Sequence, residues 1–234
     1  MVTSLAGQRA LITGAASGIG AATMQAMENA GALVFGLDRK FDGSDSHRIG
    51  ADVSSEQDVN RAVAQACAGG ALDIVVNAAG IYSESPLAEL AIDDYERIFS
   101  VNVRGTILVT KAVLRYLNEG ARIVNVASEL AFIGRANASI YTASKGAILS
   151  LTRSWARELA PRILVNAVAP GPTDTELLDF GSLDAEHRAL ELNNPLGRIA
   201  RPEEIANAIL FLASREATFV TGHCFCVDGG SAMR

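Results

Sequence analysis

The chain has 234 residues and a hydrophobic content of 49%, which suits one sizeable core and is too high for a disordered chain. The formal net charge is −6, and because no cluster of lysine or arginine marks a polyanion groove, we expect no nucleic acid partner. No apolar run approaches the roughly 18 residues that a membrane span needs, so we expect no membrane partner. The first apolar run reads as a strand rather than a signal sequence.

The three cysteines are typical of a reducing compartment, and we expect a cytoplasmic protein. Cys224 and Cys226 lie two residues apart in a strand-like run, so they point to the same face, beside His223. One strand cannot direct two sulfurs and an imidazole at one ion, and we therefore predict no metal site. The two cysteines are expected to be buried small hydrophobic groups.

A strand, a glycine-rich turn, a helix and a second strand open the chain. Arg9–Thr13 reads as a buried strand, Ala21–Ala30 has a helical pattern, and Leu33–Leu37 resumes a strand. Glycines permit a tight turn and let the backbone approach a pyrophosphate, which the N-terminus of the following helix attracts. The turn between the first strand and the helix carries Gly14, Gly18 and Gly20.

The residues after the second strand predict which dinucleotide is bound. Asp38 closes this strand, where a carboxylate accepts hydrogen bonds from the ribose hydroxyls and repels a 2′-phosphate. Ser17 adds no positive charge to the glycine-rich turn. Arg39 and Lys40 are the opposing signal because either can reach a phosphate, but we interpret them as exposed loop charges. The predicted cofactor is therefore NAD rather than NADP.

Strand and helix patterns alternate through the rest of the chain. Between Asp38 and Asp52 the short segment predicts a loop or a single turn. The further predicted strands are Ile49–Val53, Leu72–Asn77, Arg122–Val126, Arg162–Val168 and His223–Val227. The further predicted helices are Glu56–Ala66, Ile92–Leu117 with an interruption near Asn102 and Gly105, Ser139–Leu159, and Pro202–Ala213. The alternation predicts an α/β fold in one domain over residues 1–234, with about seven strands in a mostly parallel, doubly wound sheet covered by helices on both faces.

The carboxyl ends of the predicted strands gather the polar residues. Asp38, Asn77, Ser128 and Pro170 all fall at such ends, where ligands bind in open α/β sheets. Tyr141 and Lys145 are four residues apart on a predicted helix and therefore share one face.

A positive charge beside a phenol favours phenolate and lowers the pKa of the phenol, so the Tyr141–Lys145 pair is suited to exchange a proton with an alcohol or ketone. The alternative is an ordinary solvated pair on a helix surface.

Six motifs in one order resemble those of the short-chain dehydrogenase/reductase family over essentially the whole chain, and they imply its Rossmann-type fold. They are Thr13-Gly14-x-x-x-Gly18-x-Gly20, Asn77-Ala-Ala-Gly80, Asn102, Ser128, Tyr141-x-x-x-Lys145 and Pro170-Gly171.

The resemblance implies a catalytic set of four residues. Tyr141 would be the acid/base, Lys145 would lower its pKa and bind the nicotinamide ribose, and Ser128 would hold the substrate oxygen. Asn102 would hold a water that links Lys145 to solvent. Ser128 has the alternative of simply ending a strand, and Asn102 of being a helix-kink residue.

The resemblance also implies the cofactor contacts. Pyrophosphate would lie at the glycine-rich turn, the adenosine ribose at Asp38, the adenine at the third strand end, and the nicotinamide under the segment after the sixth strand. The residues implied are Gly14, Ser17, Gly18, Ile19, Gly20, Asp38, Asp52, Val53, Asn77, Ala78, Gly80, Tyr141, Lys145, Pro170, Gly171, Thr173 and Thr175. Thr175 has a turn or cap role as its alternative, and we interpret Glu129, Arg135 and Asn137 as loop surface rather than substrate contacts.

Residues 176–198 are predicted to form a mobile lid over the substrate. The apolar stripe Leu177, Leu178, Phe180 and Leu183, with several carboxylates, favours a small, largely neutral substrate. A carrier-bound acidic substrate fits poorly, because Glu119 stands where acyl-carrier reductases often present an arginine. Pro170–Thr175 and Pro195–Ile205 are similar to segments of cyclic-diol dehydrogenases.

The leading hypothesis is an NAD-dependent dehydrogenase that interconverts a small secondary alcohol, such as a cyclic diol or polyol, and its ketone. A 3-oxoacyl-(acyl-carrier-protein) reductase is the second hypothesis, and a non-catalytic dinucleotide-binding regulator is the third. The resemblance implies a homotetramer built on the helices Gly105–Leu117 and Ser139–Leu159, whose small and apolar residues include Ala143, Ala147, Leu151 and Trp155.

Overall fold

Seven parallel strands form one sheet in the computed structural model, which describes residues 3–233. The strand order is β3-β2-β1-β4-β5-β6-β7, so the winding direction reverses between β1 and β4. This order confirms the predicted doubly wound α/β fold and puts a crevice at the reversal. The strands are β1 Arg9–Thr13, β2 Leu33–Asp38, β3 Arg48–Gly50, β4 Leu72–Asn77, β5 Leu117–Val126, β6 Ile163–Pro170 and β7 Cys224–Val227.

Helices cover both faces of the sheet. They are α1 Gly18–Asn29, α2 Glu56–Cys67, α3 Ile92–Phe99, α4 Thr106–Val113, α5 Leu130–Ile133, α6 Ser139–Leu159, α7 Ala185–Glu191 and α8 Pro202–Ala213. A π turn, Ser100–Gly105, joins α3 to α4, and two short 3-10 turns are Leu87–Glu89 and Leu114–Tyr116. Within residues 3–233, none of the helices combines the length and apolar character of a membrane span.

Alternating side chains of the strands build two cores. Leu11 of β1 packs into a core with α2, α4 and α6, whereas Ala10 and Ile12 pack into a second core with α1 and α8. All three side chains are fully buried, and burial of a Leu or Ile contributes about 1.5–3 kcal/mol to folding. The sheet is therefore held from both sides, which fixes the ends of its strands.

The central strands end at the same level. Thr13 of β1 pairs with Leu37 of β2 and Asn77 of β4, and Asn77 pairs with Asn125 of β5. The Asn77 side chain donates to Asn125 Oδ1 at 2.8 Å and to Thr110 Oγ1 at 3.1 Å. These buried bonds tie β4 to β5 and to α4 below the rim, so the loops that follow the strands start from a rigid edge.

Several predicted boundaries differ from the structure. β3 ends at Gly50 rather than Val53, because the Asp52 carboxylate accepts hydrogen bonds from the backbone N–H and hydroxyl of Ser54 and turns the chain. Helix α1 begins at Gly18 rather than Ala21, and β5 begins at Leu117 rather than Arg122.

The predicted interruption near Asn102 and Gly105 is the π turn. Here the Asn102 side chain bonds the Ile81 backbone, and a Cβ on Gly105 would lie 2.9 Å from Val53 Cγ2.

The prediction that Cys224 and Cys226 are buried is wrong. Both are only half-buried, because β7 is the edge strand of the sheet. Burial raises the pKa of the Cys224 thiol to about 12, a shift that the neighbouring Cys226 increases, so this group is a neutral thiol at physiological pH. Cys67, at the end of α2, is buried.

Candidate active site

A cleft of about 470 Å³ opens at the carboxyl ends of the strands, across the reversal between β1 and β4. Its walls contain every predicted site residue except Asn77 and Asn102. Those lining the cleft are Gly14, Ser17, Gly18, Ile19, Gly20, Asp38, Asp52, Val53, Ala78, Gly80, Ser128, Tyr141, Lys145, Pro170, Gly171, Thr173 and Thr175. The structure thus brings together residues that are more than 150 positions apart in the chain.

Backbone rather than side chains forms the wall at the glycine-rich turn. Gly14 has a φ of +68°, and a Cβ there would lie 2.8 Å from the Ala79 Cα. A Cβ on Gly20 would lie 2.0 Å from the Gly14 carbonyl oxygen. Thr13 Oγ1 accepts from the N–H groups of Ala78 and Ala79 at 3.1 Å each and holds this wall in place. Such a close-packed backbone cradle fits an extended dinucleotide.

The N-terminus of α1 opens into the cradle. Its N-cap residue Ser17 has an extended backbone and makes no capping bond with its side chain, so the hydroxyl remains available to a ligand. The first N–H groups of a helix and the positive end of its dipole attract phosphate. The residues present therefore fit a pyrophosphate at this position.

The far end of the cradle carries charges of both signs. Asp38 accepts hydrogen bonds from the Ala16 N–H at 3.2 Å and the Lys40 N–H at 2.9 Å, which fixes its carboxylate on the wall. Arg39 and Lys40 also line the cleft, but the Lys40 ammonium is 2.5 Å from a Glu176 carboxylate oxygen. The signals for NAD and for NADP are thus both present.

Tyr141 and Lys145 lie side by side on α6 and are 9% and 5% exposed. The Lys145 ammonium donates to the Val126 carbonyl oxygen at 2.8 Å and lies 5.7 Å from the centroid of the Tyr141 ring. Burial raises the pKa of Tyr141 to about 12, while a hydrogen bond to Ser128 and the charge of Arg135 oppose the rise. Burial lowers the pKa of Lys145 to about 8.

The expectation of a lowered phenol pKa is therefore wrong. Removing both groups from water disfavours phenolate and ammonium alike, so burial raises the pKa of Tyr141 and lowers that of Lys145.

Ser128 lies two residues after the end of β5 and is buried. Its Oγ accepts from the Leu130 N–H at 3.2 Å, and its hydroxyl lies close enough to Tyr141 to lower the pKa of that phenol. Two hydroxyl donors converging at one point can stabilise negative charge on an oxygen whose carbon is gaining or losing a hydride.

Asn102 and Asn77 lie outside the cleft walls. Asn102 accepts from the Ile81 N–H at 2.9 Å and donates to the Ile81 carbonyl and to Ser144 Oγ. A Cβ on Gly80 would lie 3.4 Å from both Asn102 Oδ1 and Lys145 Nζ, so Asn102 packs against the loop that faces Lys145. Asn77 does not line the cleft, and its side chain bonds within the sheet and α4, so its contact with the cofactor stays a prediction.

Charged side chains form the opposite wall, and here the loop-surface interpretation of Glu129 and Arg135 is wrong. Glu129 is 4% exposed, and Arg135 Nη2 bonds Glu191 Oε2 at 3.1 Å. Burial lowers the pKa of Arg135, but the hydrogen bond and charge of Glu191 outweigh it and raise the value overall. Asn137 is exposed, as predicted.

Burial raises the pKa of the Glu129 carboxyl to about 7. Hydrogen bonding by Ser231 and the charge of Arg135 oppose this rise, whereas the carboxylates of Asp228 and Glu191 increase it. The position of Glu129 directly after Ser128 is a local signal that could have marked it as a wall residue. Nothing local could have marked Glu191, which reaches Arg135 from 56 residues away.

An aromatic contact closes the substrate end. The ring of Tyr82 meets that of Tyr141 edge to face, with centroids 4.7 Å apart and an interplanar angle of 84°. The Tyr82 hydroxyl donates to Glu84, and burial together with that carboxylate raises the pKa of Tyr82. This contact supports the Tyr141 ring on the side that faces the loop after β4.

The predicted lid segment contributes three of its four apolar residues. Leu177, Leu178 and Leu183 line the cleft, and Leu177 is half exposed. Phe180 is not part of the wall, and instead the Arg188 guanidinium stands 6.0 Å from its ring centroid. Helix α7 crosses the middle of this segment and carries Glu191 to the cleft.

Residues 14–232 match a family model described as enoyl-(acyl carrier protein) reductase. The chain is 41% identical to cis-4-hydroxycyclohexanecarboxylate dehydrogenase of Sinomonas cyclohexanicum, over 94% of this chain and 95% of that protein. It is 37% identical to 3-oxoacyl-(acyl-carrier-protein) reductase FabG of Thermotoga maritima, over 97% and 98% of the two chains. A glucose/ribitol-type short-chain dehydrogenase/reductase of Brucella melitensis superposes with a TM-score of 0.93, at 35% identity over both whole chains.

The chain belongs to the short-chain dehydrogenase/reductase family. Its relatives are oxidoreductases, and the cleft described above is the candidate active site. The matches cover nearly the full length of these relatives.

Proposed function

We propose that this protein is an NAD(H)-dependent dehydrogenase that interconverts a small, largely neutral secondary alcohol and its ketone. The observation that carries the proposal is that Ser128, Tyr141 and Lys145 line the same cleft as the glycine-rich cradle. Bound nicotinamide supplies or accepts the hydride, and the protein must handle the accompanying proton.

The side chains divide this work among them. Tyr141 gives its hydroxyl proton to the substrate oxygen during reduction and takes it back during oxidation. Ser128 donates a second hydrogen bond to that oxygen. Lys145, whose pKa burial lowers to about 8, is able to pass protons to and from solvent near neutral pH. Asn102 holds the loop that faces Lys145 and supports the path of this proton.

The preference for NAD rests on Asp38. Its carboxylate is fixed on the cradle wall by two backbone N–H groups, where it repels a 2′-phosphate. We expect kcat/KM to be at least tenfold higher with NAD than with NADP. We also expect Asp38→Ser to narrow that ratio. A wild-type preference for NADP would overturn this part of the proposal.

The proposed assembly is a single domain over residues 1–234 that forms a homotetramer. On α6, Ala143 is exposed, and Ala147, Leu151 and Trp155 are only partly buried, which leaves an apolar strip on the helix. A helix with a second apolar face packs against another helix more stably than against water. Light scattering that finds a monomer would contradict this expectation.

The activity is tested with a panel of secondary alcohols and ketones that includes cyclic alcohols and polyols. Each substrate is assayed with NAD(H) and with NADP(H). Turnover of ring or polyol alcohols that is lost in Tyr141→Phe supports the proposal. Binding of NADH by the wild type with no turnover across the panel would instead favour the non-catalytic regulator.

A 3-oxoacyl-(acyl-carrier-protein) reductase is the second candidate, favoured by the 37% identity to a protein of that name. The exposed Glu119, in the first part of β5, would repel an acidic carrier rather than attract it. Turnover of acetoacetyl thioesters far above that of cyclic alcohols would favour this candidate over ours.

A further inference from the structure

One oxygen of a buried carboxyl group at the substrate end of the cleft lacks a hydrogen-bond partner. Glu129 is 4% exposed, lines the cleft, and has an Oε2 atom with no partner within residues 3–233. Its backbone is fixed, since its N–H donates to the Pro170 carbonyl at 2.9 Å and its own carbonyl accepts from Phe132 at 2.8 Å. The side chain therefore starts from a rigid position directly after Ser128, which holds the substrate oxygen.

The groups around Glu129 leave an excess of negative charge. Asp228 and Glu191 act on it as further carboxylates. The only cation that acts on Glu129 among the described residues is Arg135, whose guanidinium is already paired with Glu191. Three carboxylates and one paired guanidinium disfavour an anionic substrate group here and favour a group that donates a hydrogen bond.

The carboxyl group of Glu129 is unusual for a buried side chain. Buried carboxyl groups in protein cores are normally hydrogen-bonded, and an unpaired one is costly. Because Glu129 lines the cleft, a substrate hydroxyl that donates to its carboxyl group would supply the missing hydrogen bond.

We infer that Glu129 accepts a hydrogen bond from a second hydroxyl group of the substrate, so that the enzyme selects neutral diols or polyols over simple alcohols and over ring alcohols that carry a carboxylate. This inference rests on the proposed alcohol dehydrogenase function. It assigns specificity to Glu129, while proton transfer stays with Tyr141.

The test compares kcat/KM for three ring substrates: cyclohexanol, 1,2-cyclohexanediol and cis-4-hydroxycyclohexanecarboxylate. Wild type, Glu129→Gln, Glu129→Leu and the exposed control Glu119→Gln are assayed with saturating NAD. We expect the wild type to prefer the diol over cyclohexanol by at least tenfold. In Glu129→Leu this ratio should fall at least tenfold, mainly through KM for the diol. Glu129→Gln should lie between, because its amide oxygen still accepts a hydrogen bond, and Glu119→Gln should keep the wild-type ratio.

Three outcomes overturn the inference. The first is an unchanged diol-to-cyclohexanol ratio in folded, active Glu129→Leu. The second is a wild-type preference for the carboxylate-bearing ring. Absence of all alcohol turnover in the wild type is the third, and it alone also defeats the proposed function.

A measurement on the wild type alone covers the case in which the Glu129 variants fail to fold. The diol and cyclohexanol are compared as inhibitors of ketone reduction with NADH. A diol inhibition constant at least tenfold below that of cyclohexanol supports the inference, and equal constants overturn it.

Discussion

The two walls of the cleft are built in different ways. The wall around Gly14 and Ala79 is backbone packed on backbone, and its polar groups are held by Thr13 at the end of β1. The wall around Glu129 consists of charged side chains from separate segments, with one carboxyl oxygen left without a partner. The first wall is suited to a ligand of constant shape, and the second to a ligand that must be distinguished from others.

This difference also divides the energetics. The backbone packing and hydrogen bonds of the cradle form without a ligand, so they add to the stability of the fold. Buried like charges at the substrate wall oppose folding and are retained where a ligand needs them. Substitutions in the cradle should therefore lower the free energy of unfolding, whereas neutral substitutions of the buried carboxylates in the substrate wall should raise it.

The largest expected effect is on catalysis at the junction of the two walls. Tyr141→Phe removes the hydroxyl that moves the proton, and loss of such a group lowers the rate by about 10³-fold, or about 4 kcal/mol in the barrier. Because the ring and its contact with Tyr82 remain, NADH binding should be retained. Steady-state kinetics and NADH fluorescence titration measure the two quantities.

Tyr116→Phe is the matched control for this change, because Tyr116 lies in the 3-10 turn before β5, at the opposite end of the strand from Ser128. It should keep wild-type kcat. A Tyr141→Phe enzyme that retains more than a tenth of wild-type kcat would contradict the assigned role.

The next effect concerns the substrate wall. Burial raises the folded-state pKa of Glu129 from 4.5 to about 7. The stability that this group contributes is therefore fully present below about pH 4.5 and is lost as the pH rises through about 7. Glu129→Gln does not titrate, so its stability relative to wild type should increase over this window by on the order of 3 kcal/mol. Urea unfolding at pH 5, 6, 7 and 8 measures the difference.

Glu119→Gln serves as the control, since Glu119 is exposed and its stability difference from wild type should stay flat across the same window. A Glu129→Gln difference that does not change between pH 5 and pH 8 would show that the Glu129 carboxyl is not held in a desolvated site.

A smaller effect is expected at the cradle, with the opposite sign. Gly14→Ala forces a side chain into a φ of +68° and against the Ala79 backbone at 2.8 Å, which should lower the free energy of unfolding by at least about 2 kcal/mol. Gly120→Ala provides a matched control because Gly120 has a φ of +77° but open space around its Cβ position. It should lose only about 1 kcal/mol and keep NADH affinity. Equal losses of unfolding free energy in the two variants would show that close packing of residue 14 against Ala79 does not contribute to the destabilisation.

The two walls also differ in how well the sequence predicts them. The cradle can be predicted from a local pattern, because the strand, the glycines and the helix are consecutive. The glycines are needed where the backbone turns or packs closely against other backbone. Helix α6 was predicted with the bounds Ser139–Leu159 that the structure shows, because its period is long and unbroken. The predicted sheet and the family resemblance are confirmed by the strand order and by the relatives.

The substrate wall has no such local pattern. Arg135 and Glu191 meet only because α7 folds back over the cleft, and neither position carries a periodicity that indicates a partner. The pKa of Tyr141 was predicted with the wrong sign because spacing along a helix shows that Lys145 is near but not how completely both are buried. The direction of the Asn77 side chain could not be predicted either. The residue falls at a strand end, but its side chain bonds to Asn125 within the sheet.

The smallest expected effect on stability concerns an ion pair across the mouth of the cleft. Lys40, after β2, and Glu176, at the start of the lid segment, form an ion pair at 2.5 Å, with side chains 53% and 70% exposed. Water screens a pair that is this exposed, and holding two long side chains together costs entropy, so exposed pairs contribute about 0.2–1 kcal/mol.

A double-mutant cycle with Lys40→Met and Glu176→Gln should therefore give a coupling energy below about 1 kcal/mol in urea unfolding, and 1 M salt should abolish it. The same cycle on KM for NAD separates two accounts of the lid. If the ion pair is fully solvated and does not position the lid, KM for NAD should not change by more than about twofold in any variant. A coupling above about 2 kcal/mol, or one that survives high salt, would mean that the ion pair is desolvated and that the lid rests on the cofactor wall even before a ligand binds.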